Sequence, residues 1–573
     1  MNKFSDSFRL KRMLEKAMQL CQQSKIHEAK TIYLDLIRNY SSHPIALTNL
    51  GTIELQLGNA ESGIDLLKKS IEVDPNQSVA LSNLANALVD LKEFDQAIFY
   101  YNLAIKLNPK FLEAYCNRGR AYRKHHKYED AISSYESALA LSPDHINTLI
   151  DLGFLFNEMQ YFDKAIEMYN AAIKISPYNT RAHYNKSVTL GNLKCFNEAI
   201  QECDQTIKIN PSLLEAYNLK TSFLINLKKF DMALNLIDQI ILKKFDSPEA
   251  FFNKSVINFY LNNFEDAWIF YESRFGLKTN EPYLISSNSA LQNFDVENKN
   301  IYIWAEQGIG DQILFCTILN DAIKTKNQFI VSLDPRLVPI YTRSFSNFSN
   351  VKFISCSERI DESLYDMHLP QGGLGKFFRS SVNNFENRSN FSYLKADDNK
   401  SFKYSKLFQF KNKKICGISW KSKRKEISHL KSINLKDFMP IFKIPNIIFI
   451  NLQYGDVASD LAELKDEFGV EINVIDSIDI FNDLDSLASL IDVCDFVCST
   501  SNATIHLAGA LGKESYLFTP YSDAKMWYWS HENSSHSLWY PSISIFSQPK
   551  IDDWGTPIQS VANLLTTRLE LGK

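Results

Sequence analysis

Small residues return every 34 positions through the first half of the chain: Ala17, Gly51, Ala85, Gly119, Gly153, Ser187, Thr221 and Ser255. Twelve residues after each stands a second small residue, namely Ala29, Gly63, Ala97, Ala131, Ala165, Ala199, Ala233 and Ala267. Proline marks the same period at 75, 109, 143, 177 and 211, with Pro44 and Pro248 opening the flanking units. Three coincident registers over eight units define a tandem array, with unit boundaries at about 10–43, 44–77, 78–111, 112–145, 146–179, 180–213, 214–247 and 248–281. Each unit reads as two amphipathic helices. The small residues let the pair approach closely, and proline stops the second helix and opens the next unit. One unit cannot bury its apolar face alone, so the units stack into a superhelix with a concave groove, a surface that binds rather than catalyses.

This pattern resembles the tetratricopeptide repeat. Two residues before each first-helix small residue runs a further register: Asn49, Asn83, Asn117, Asp151, Asn185, Leu219 and Asn253. A carboxamide offers both a donor and an acceptor, so a ladder of them can grip the backbone of an extended polypeptide without reading its side chains. The register resembles the asparagine ladder in the repeats of O-linked N-acetylglucosamine transferase, which implies acceptor binding by Asn49, Asn83, Asn117, Asn185 and Asn253. The other reading is that asparagine bonds locally at this position; Leu219 interrupts the register either way.

The array accounts for less than half of 573 residues, and the chain is too long for one core. Its 19 glycines divide unevenly, seven in residues 1–281 and twelve in the remaining 292, as a helical first half requires. With 62 basic against 66 acidic residues, a net of −4, there is no overall field to concentrate a polyanion, which argues against general nucleic-acid binding. Nine scattered cysteines with no Cys-x-x-Cys suggest reduced thiols rather than a disulfide framework or zinc site. The first twenty residues are charged throughout, and no window reaches 18 consecutive apolar residues, so the expectation is a soluble cytoplasmic protein with no membrane span.

After residue 281 the register ends, and 282–299 reads as a polar connector. Short β-rich runs then alternate with helical stretches: 301–304, 329–333, 351–354, 415–420, 447–452, 472–475, 495–499 and 514–518. Strand, turn and helix in alternation imply parallel sheets with right-handed crossovers. A polar stretch at about 383–413 divides the runs into two Rossmann-like halves, 300–395 and 414–565, with a cleft between them.

Three segments carry chemistry. In EQGIGD, Gly308, Gly310 and Asp311 follow a strand and precede a helix, which presents bare backbone N–H groups. The third glycine of a dinucleotide fingerprint is missing and no acidic residue closes a strand about 20 residues later, which argues against a nicotinamide enzyme. Asp311 is either a helix cap or a general base. In STSNATIHLAGALGK, a strand runs into Thr500, Ser501 and Asn502 and then a helix carrying Thr504 and His506, whose N-terminus is expected to stand open to an anion. His506 is a packing residue or part of that site. Third, Lys421, Lys423, Arg424 and Lys425 follow the strand ICGISW, as a solvated loop or as a cradle for a diphosphate.

In this order WAEQGIGDQILF, GISWKS, INLQYGD, STSNATIHLAGALGK, WYPSISIFSQ and DDW resemble the catalytic region of bacterial proteins that join tetratricopeptide repeats to a domain similar to family 9 glycosyltransferases, the heptosyltransferase relatives. AWIFYESRF at 267–275 looks like the segment that precedes such a domain. The resemblance implies a tetratricopeptide superhelix over 10–281 followed by an α/β pair of Rossmann-like domains, the GT-B fold, with the acceptor on the first half and the nucleotide-sugar on the second. It implies that Asp311 is the base and that Lys421 approaches the diphosphate. Gly308, Gly310, Gln453, Ser501, Asn502, Thr504 and His506 complete the implied nucleotide-sugar site. Where those enzymes hold the donor with Asp-Thr-Gly, this chain has Ser501, Asn502 and Ala503, which removes a carboxylate and leaves the donor and the activity open.

The mechanism that follows is an inverting single displacement with no metal and no cofactor beyond the nucleotide-sugar co-substrate. Asp483 and Asp485 form an Asp-x-Asp of the kind metal-dependent transferases use, but NDLDSLASLI reads as a capped helix start. Tryptophans 527, 529, 539 and 554 either stack on sugar or base or pack the last helix. The expected function is transfer of a sugar to a hydroxyl of a polypeptide held by the repeats, as in flagellin-modifying enzymes of similar layout. The alternatives are a transferase acting on a glycan or lipid-linked acceptor with repeats for assembly, and a non-catalytic scaffold with a degenerate transferase domain.

Overall fold

A computed structural model describes residues 2–40, 43–277, 284–385, 392–408, 413–422, 428–521, 525–530 and 535–571. The chain forms two compact units, Met1–Phe223 and Leu224–Lys573. The division does not fall at the end of the repeat register. The closing repeats belong to the same unit as the sheets.

Among the described residues sixteen helices, from Asn2–Gln22 to Phe264–Tyr271, follow the 34-residue period two by two. Within the first unit each marker does the work its size allows. Ala17, Ala29, Ala85, Ala97, Ala131 and Ala165 are fully buried. A Cβ on Gly119 would lie 2.6 Å from the Tyr135 ring, and one on Gly153 2.7 Å from the Tyr169 ring, so glycine is what lets these rings enter the hairpin. Those rings belong to a register absent from the sequence reading: Tyr33, Leu67, Tyr101, Tyr135, Tyr169 and Cys203 recur at the period and are all buried. Each such side chain contributes about 2–3 kcal/mol of burial. The prolines at 75, 109, 143 and 177 fall just after helices ending at 73, 107, 141 and 175, while Pro44 opens its helix.

The turn inside each hairpin is also periodic. Ser24, Gly58, Lys92, His126, Gln160 and Lys194 all have positive φ, and only one of the six is glycine. Each closes its helix the same way. At Gly58 its N–H bonds the Leu55 carbonyl at 3.1 Å and the next N–H bonds the Glu54 carbonyl at 2.9 Å, the Schellman pattern.

The second unit opens with the helices Phe230–Leu242, Pro248–Tyr260 and Phe264–Tyr271 and continues into two parallel sheets. The first holds β1 (Ser289–Ala290), β2 (Asn300–Trp304), β3 (Gln328–Leu333), β4 (Val351–Ser355) and β5 (Met367–Pro370), in the order β1-β5-β2-β3-β4. The second holds β6 (Lys414–Ser419), β7 (Ile447–Asn451), β8 (Ile472–Asn473), β9 (Phe496–Thr500), β10 (Ser515–Thr519) and β11 (Ile543–Ser547), in the order β11-β10-β9-β6-β7-β8.

All eight runs read as strands are strands, within one or two residues at most ends. Three strands were missed. β1 lies inside the segment read as a connector and pairs with β5 at the sheet edge, so 282–299 is partly sheet. β5 is four residues ending in proline, and β11 has one buried residue, Ile543, followed by three half-buried and one exposed, without a long apolar run.

Both sheets are doubly wound. The chain builds outward from β2 through β3 to β4, then returns to the other side of β2 with β5; the second sheet does the same from β6, returning at β9. At such a reversal the loops after the two central strands splay apart and leave a crevice at their carboxyl ends. The unit therefore offers two crevices, one between β2 and β5 and one between β6 and β9.

The last repeat packs on both sheet regions. Trp268 Nε1 donates to the Arg379 carbonyl at 2.7 Å, and Phe259 stacks on Trp527 with ring centroids 3.8 Å apart. Tyr260 Oη donates to the Lys525 carbonyl at 2.6 Å.

Candidate functional site

A cleft of about 450 Å³ opens at the two strand reversals. From the first sheet region it takes the loop after β2, with Gln307, Gly308, Gly310 and Asp311. From the second it takes Ser422 after β6, then Ser501, Asn502 and His506 after β9, with Lys431. Tyr454, Phe481 and Tyr528 supply aromatic walls. Residues nearly 200 positions apart meet because the loops after β2 and β3 of one sheet and after β6, β7 and β9 of the other face the same space.

The floor is a close helix contact. The helix Ile309–Phe315 packs on the helix Ala503–Ala510, and a Cβ on Gly310 would lie 3.0 Å from His506 Cδ2. Gly308 is the N-cap, with φ −62°, a conformation any residue adopts, and a Cβ there would meet only Asp311 Oδ2, at 3.8 Å. Asp311 is the third residue of this helix, half-buried on the cleft wall.

His506 is buried, its Nδ1 lies 3.1 Å from Tyr540 Oη, and its ring lies 4.8 Å from that of Trp529. Burial pushes its imidazole down to about 3, and the positive charge of Lys431 pushes in the same direction. His506 is neutral near pH 7, able to donate or accept one hydrogen bond but not to carry charge.

The residues implied for the nucleotide-sugar separate into two groups. Gly308, Gly310, Ser501, Asn502 and His506 reach the cleft, as does Asp311; Lys421, Gln453 and Thr504 do not line it. The Lys421 ammonium pairs with Asp460, and both line a smaller hollow with Asn434, Lys436 and Glu463. Gln453 is consumed in structure: its Oε1 accepts from Ser419 Oγ, Trp420 N and Lys421 N at 3.0, 2.9 and 2.7 Å. Thr504 is fully buried, its hydroxyl donating to the Leu452 carbonyl at 3.3 Å. Lys423, Arg424 and Lys425 lie outside the described residues.

The helix N-terminus expected to stand open to an anion is closed by its own cap. Asn502 Oδ1 accepts from Thr504 N at 3.0 Å and Ile505 N at 3.4 Å, while its Nδ2 donates to Ser419 Oγ at 2.7 Å. One carboxamide thus caps the helix and ties the β9 loop to the β6 loop across the reversal. The neighbouring Ser501 hydroxyl accepts from Trp529 Nε1 at 2.9 Å.

Lys431, Arg336, Tyr454, Phe481 and Tyr528 were not found from the sequence. Lys431, ten residues beyond Lys421, is buried in the cleft wall, and the Thr500 hydroxyl donates to its carbonyl. Arg336 pairs with Asp334 at 2.8 Å and reaches the Phe481 carbonyl at 3.0 Å. No local pattern marks these positions; only the fold brings them together.

Asp483 and Asp485 have structural work. Asp483 caps the helix Leu484–Val493 through Ser486 N at 2.9 Å, and Asp485 pairs with Arg343 and Lys400. Tryptophans 527, 529, 539 and 554 are all buried in the core.

In the first unit, three ladder asparagines bond within the array. Asn49 Nδ2 donates to Tyr33 Oη at 3.0 Å, Asn83 Nδ2 to Thr52 Oγ1 at 2.9 Å, and Asn117 Oδ1 accepts from Arg120 Nη1 at 3.0 Å. Asp151 is held by Arg120 and Arg181. Asn185 is half-buried, and so is Asn253 in the second unit. Among the described residues no helix is long and apolar enough to cross a membrane.

Family models described as tetratricopeptide repeats match residues 14–78, 78–111, 112–145 and 146–179. Protein FlbA of Caulobacter vibrioides is 27% identical over 330 residues, covering 55% of this chain and 54% of that protein. The chain therefore spans about half the length of the curated relative it matches. Among solved structures, MamA is 24% identical over 29% of this chain and 97% of its own, with a TM-score of 0.27. YrrB, described as a TPR protein with an unusual peptide-binding site, is 18% identical over 33% and 97%, at 0.28. A tetratricopeptide repeat protein from Parabacteroides merdae is 17% identical over 43% and 94%, at 0.34. The helical hairpins over residues 14–179 are tetratricopeptide repeats, and a region of parallel sheets follows later in the chain.

Proposed function

We propose that the sheet region is a glycosyltransferase of the two-domain GT-B type, that its donor is a nucleotide-sugar, and that the acceptor hydroxyl belongs to a polypeptide engaged by the repeats. The observation that carries this reading is the meeting of the Gly308–Asp311 loop with the Ser501–His506 segment in one cleft at two strand reversals. Asp311 removes the acceptor proton; the oxygen attacks the anomeric carbon; the bond from that carbon to the diphosphate breaks, and its electron pair leaves with the nucleoside diphosphate. Lys431 offsets the diphosphate charge, and the Tyr454 and Phe481 rings, 6.0 Å apart, offer a face for the base. Lys431 takes the role first expected of Lys421.

A thermal-shift series of the full chain against ADP, GDP, CDP, UDP and their sugars tests the donor site. A ligand bound only by the folded state raises stability by about 2.7 kcal/mol at a hundred times its Kd. At least one diphosphate is expected to stabilise the wild type and to do so less in Lys431→Met; no response to any of them overturns the reading.

A second reading, the non-catalytic scaffold, is favoured by one observation. Both ends of the Asn502 carboxamide are committed to the cap and to Ser419, so it does not replace a sugar-binding carboxylate. Nucleotide binding without turnover supports that reading.

A further inference from the structure

We propose that Arg274, at the end of the last repeat, is a positioning residue of the cleft, fixing the loop that carries Gly308 and Asp311 through a buried ion pair with Glu306. This rests on reading the cleft as the functional site.

Both side chains are only 1% exposed. Arg274 Nε donates to Glu306 Oε2 at 2.7 Å, and its Nη2 lies 2.7 Å from the same oxygen. The other carboxylate oxygen accepts from Gly372 N at 2.6 Å, in the turn that follows β5. One carboxylate thereby ties three segments together: the repeat, the loop after β2 and the turn after β5, the two sides of the first strand reversal. Gly372 cannot carry a side chain here, since a Cβ would lie 2.8 Å from Glu306 Oε1.

The guanidinium is itself held. It lies 4.0 Å from the Tyr271 ring centroid and 4.2 Å from that of Phe275, and Nη1 donates to the Tyr271 carbonyl at 2.7 Å. Tyr271 continues the repeat register of Tyr101, Tyr135 and Tyr169, yet its hydroxyl accepts from Gln307 Nε2 at 3.4 Å, the next residue along the loop. Two adjacent loop residues, Glu306 and Gln307, are therefore gripped by one turn of the last repeat, and Gly308 follows directly.

Burying two charges is costly, and an apolar pair of similar volume is often as stable or more so. What the ion pair adds is a fixed direction, because a planar fork and a carboxylate meet in few geometries. The last repeat is then a working part of the cleft, and a boundary drawn at residue 281 separates the loop from what holds it.

The test uses the full chain and reads amide hydrogen exchange without ligand, so it does not depend on any donor being bound. The double variant Arg274→Met with Glu306→Met keeps volume and removes the charges. Its expected result is exchange at least tenfold faster in residues 306–312, with β9 and the helix Ala503–Ala510 within twofold of wild type. Arg274→Lys, which keeps the charge without the fork, is expected to fall between. Unchanged exchange at 306–312, or a uniform rise through the second unit, overturns the proposal. In parallel, whichever of ADP, GDP, CDP and UDP stabilises the wild type is measured against the double variant. Failure of all four to bind wild type counts against the donor reading alone, while the exchange result still decides the role of Arg274.

Discussion

The two regions of this chain are built by opposite rules. In the repeats nearly every structural decision is local and recurs: a buried small residue, a buried Tyr, Leu or Cys and a left-handed turn residue each return after 34 positions. In the sheet region no residue pattern returns at a fixed period, and the residues that matter meet across long separations, Asp311 with Ser501 in the cleft and Glu306 with Gly372. A local code stabilises each unit by what lies beside it. A nonlocal one spreads a single change through the whole unit.

The largest effect expected from this difference is at Gly375. Its Cβ would lie 2.0 Å from Trp268 Cζ2, and that indole is pinned by its bond to the Arg379 carbonyl. Gly375→Ala is expected to destabilise the second unit by about 3 kcal/mol while the unfolding of the first unit stays where it is, followed by urea denaturation with probes in each unit. A shift of both transitions together breaks the comparison.

A smaller, pH-dependent effect belongs to His506. Its folded value is about 3, against about 6.5 when unfolded. Below pH 6.5 the unfolded chain takes a proton that the folded chain refuses, so stability falls as pH drops towards 3, at about 1.4 kcal/mol per pH unit. His506→Phe removes this slope. Its stability relative to wild type, measured in urea at pH 7 and pH 5, is expected to improve on acidification; a constant difference contradicts the neutral, buried imidazole.

The smallest effect is a gain in the repeats. Lys92 and Gln160 hold φ of 64° and 63° at the helix ends, where glycine carries no steric penalty. Lys92→Gly and Gln160→Gly are each expected to stabilise the first unit by about 0.5 kcal/mol after the entropy of glycine in the unfolded chain is counted. Equal gains at the two sites sharpen the claim that the turn is one repeated device.

The same contrast explains what the sequence made legible. Helix pairing, the close approach at the small residues and the helix stops follow from a period, and a period is visible in one dimension. Eight strands were visible as apolar runs; β1, β5 and β11 were not, because pairing rather than composition makes them strands. Within the cleft, a glycine turn after a strand pointed to Gly308 and Gly310, and hydroxyl and amide residues after another strand pointed to Ser501. Direction was not legible. Lys421 sits on the right loop, but its side chain turns to Asp460, and Lys431 faces the cleft instead. Asn502 looked like an open anion turn and proved to be a cap, since a carboxamide beside free helix N–H groups bonds them before any ligand does. The buried Glu306 was invisible because its partner lies in the repeats.

Asp311 as the base is tested most directly by sugar transfer or donor hydrolysis in the full-length protein, wild type against Asp311→Asn, with donor binding measured alongside. The expected result is binding within about threefold and turnover reduced at least about a hundredfold, the range a positioned base contributes. Equal turnover in the two proteins contradicts the assignment.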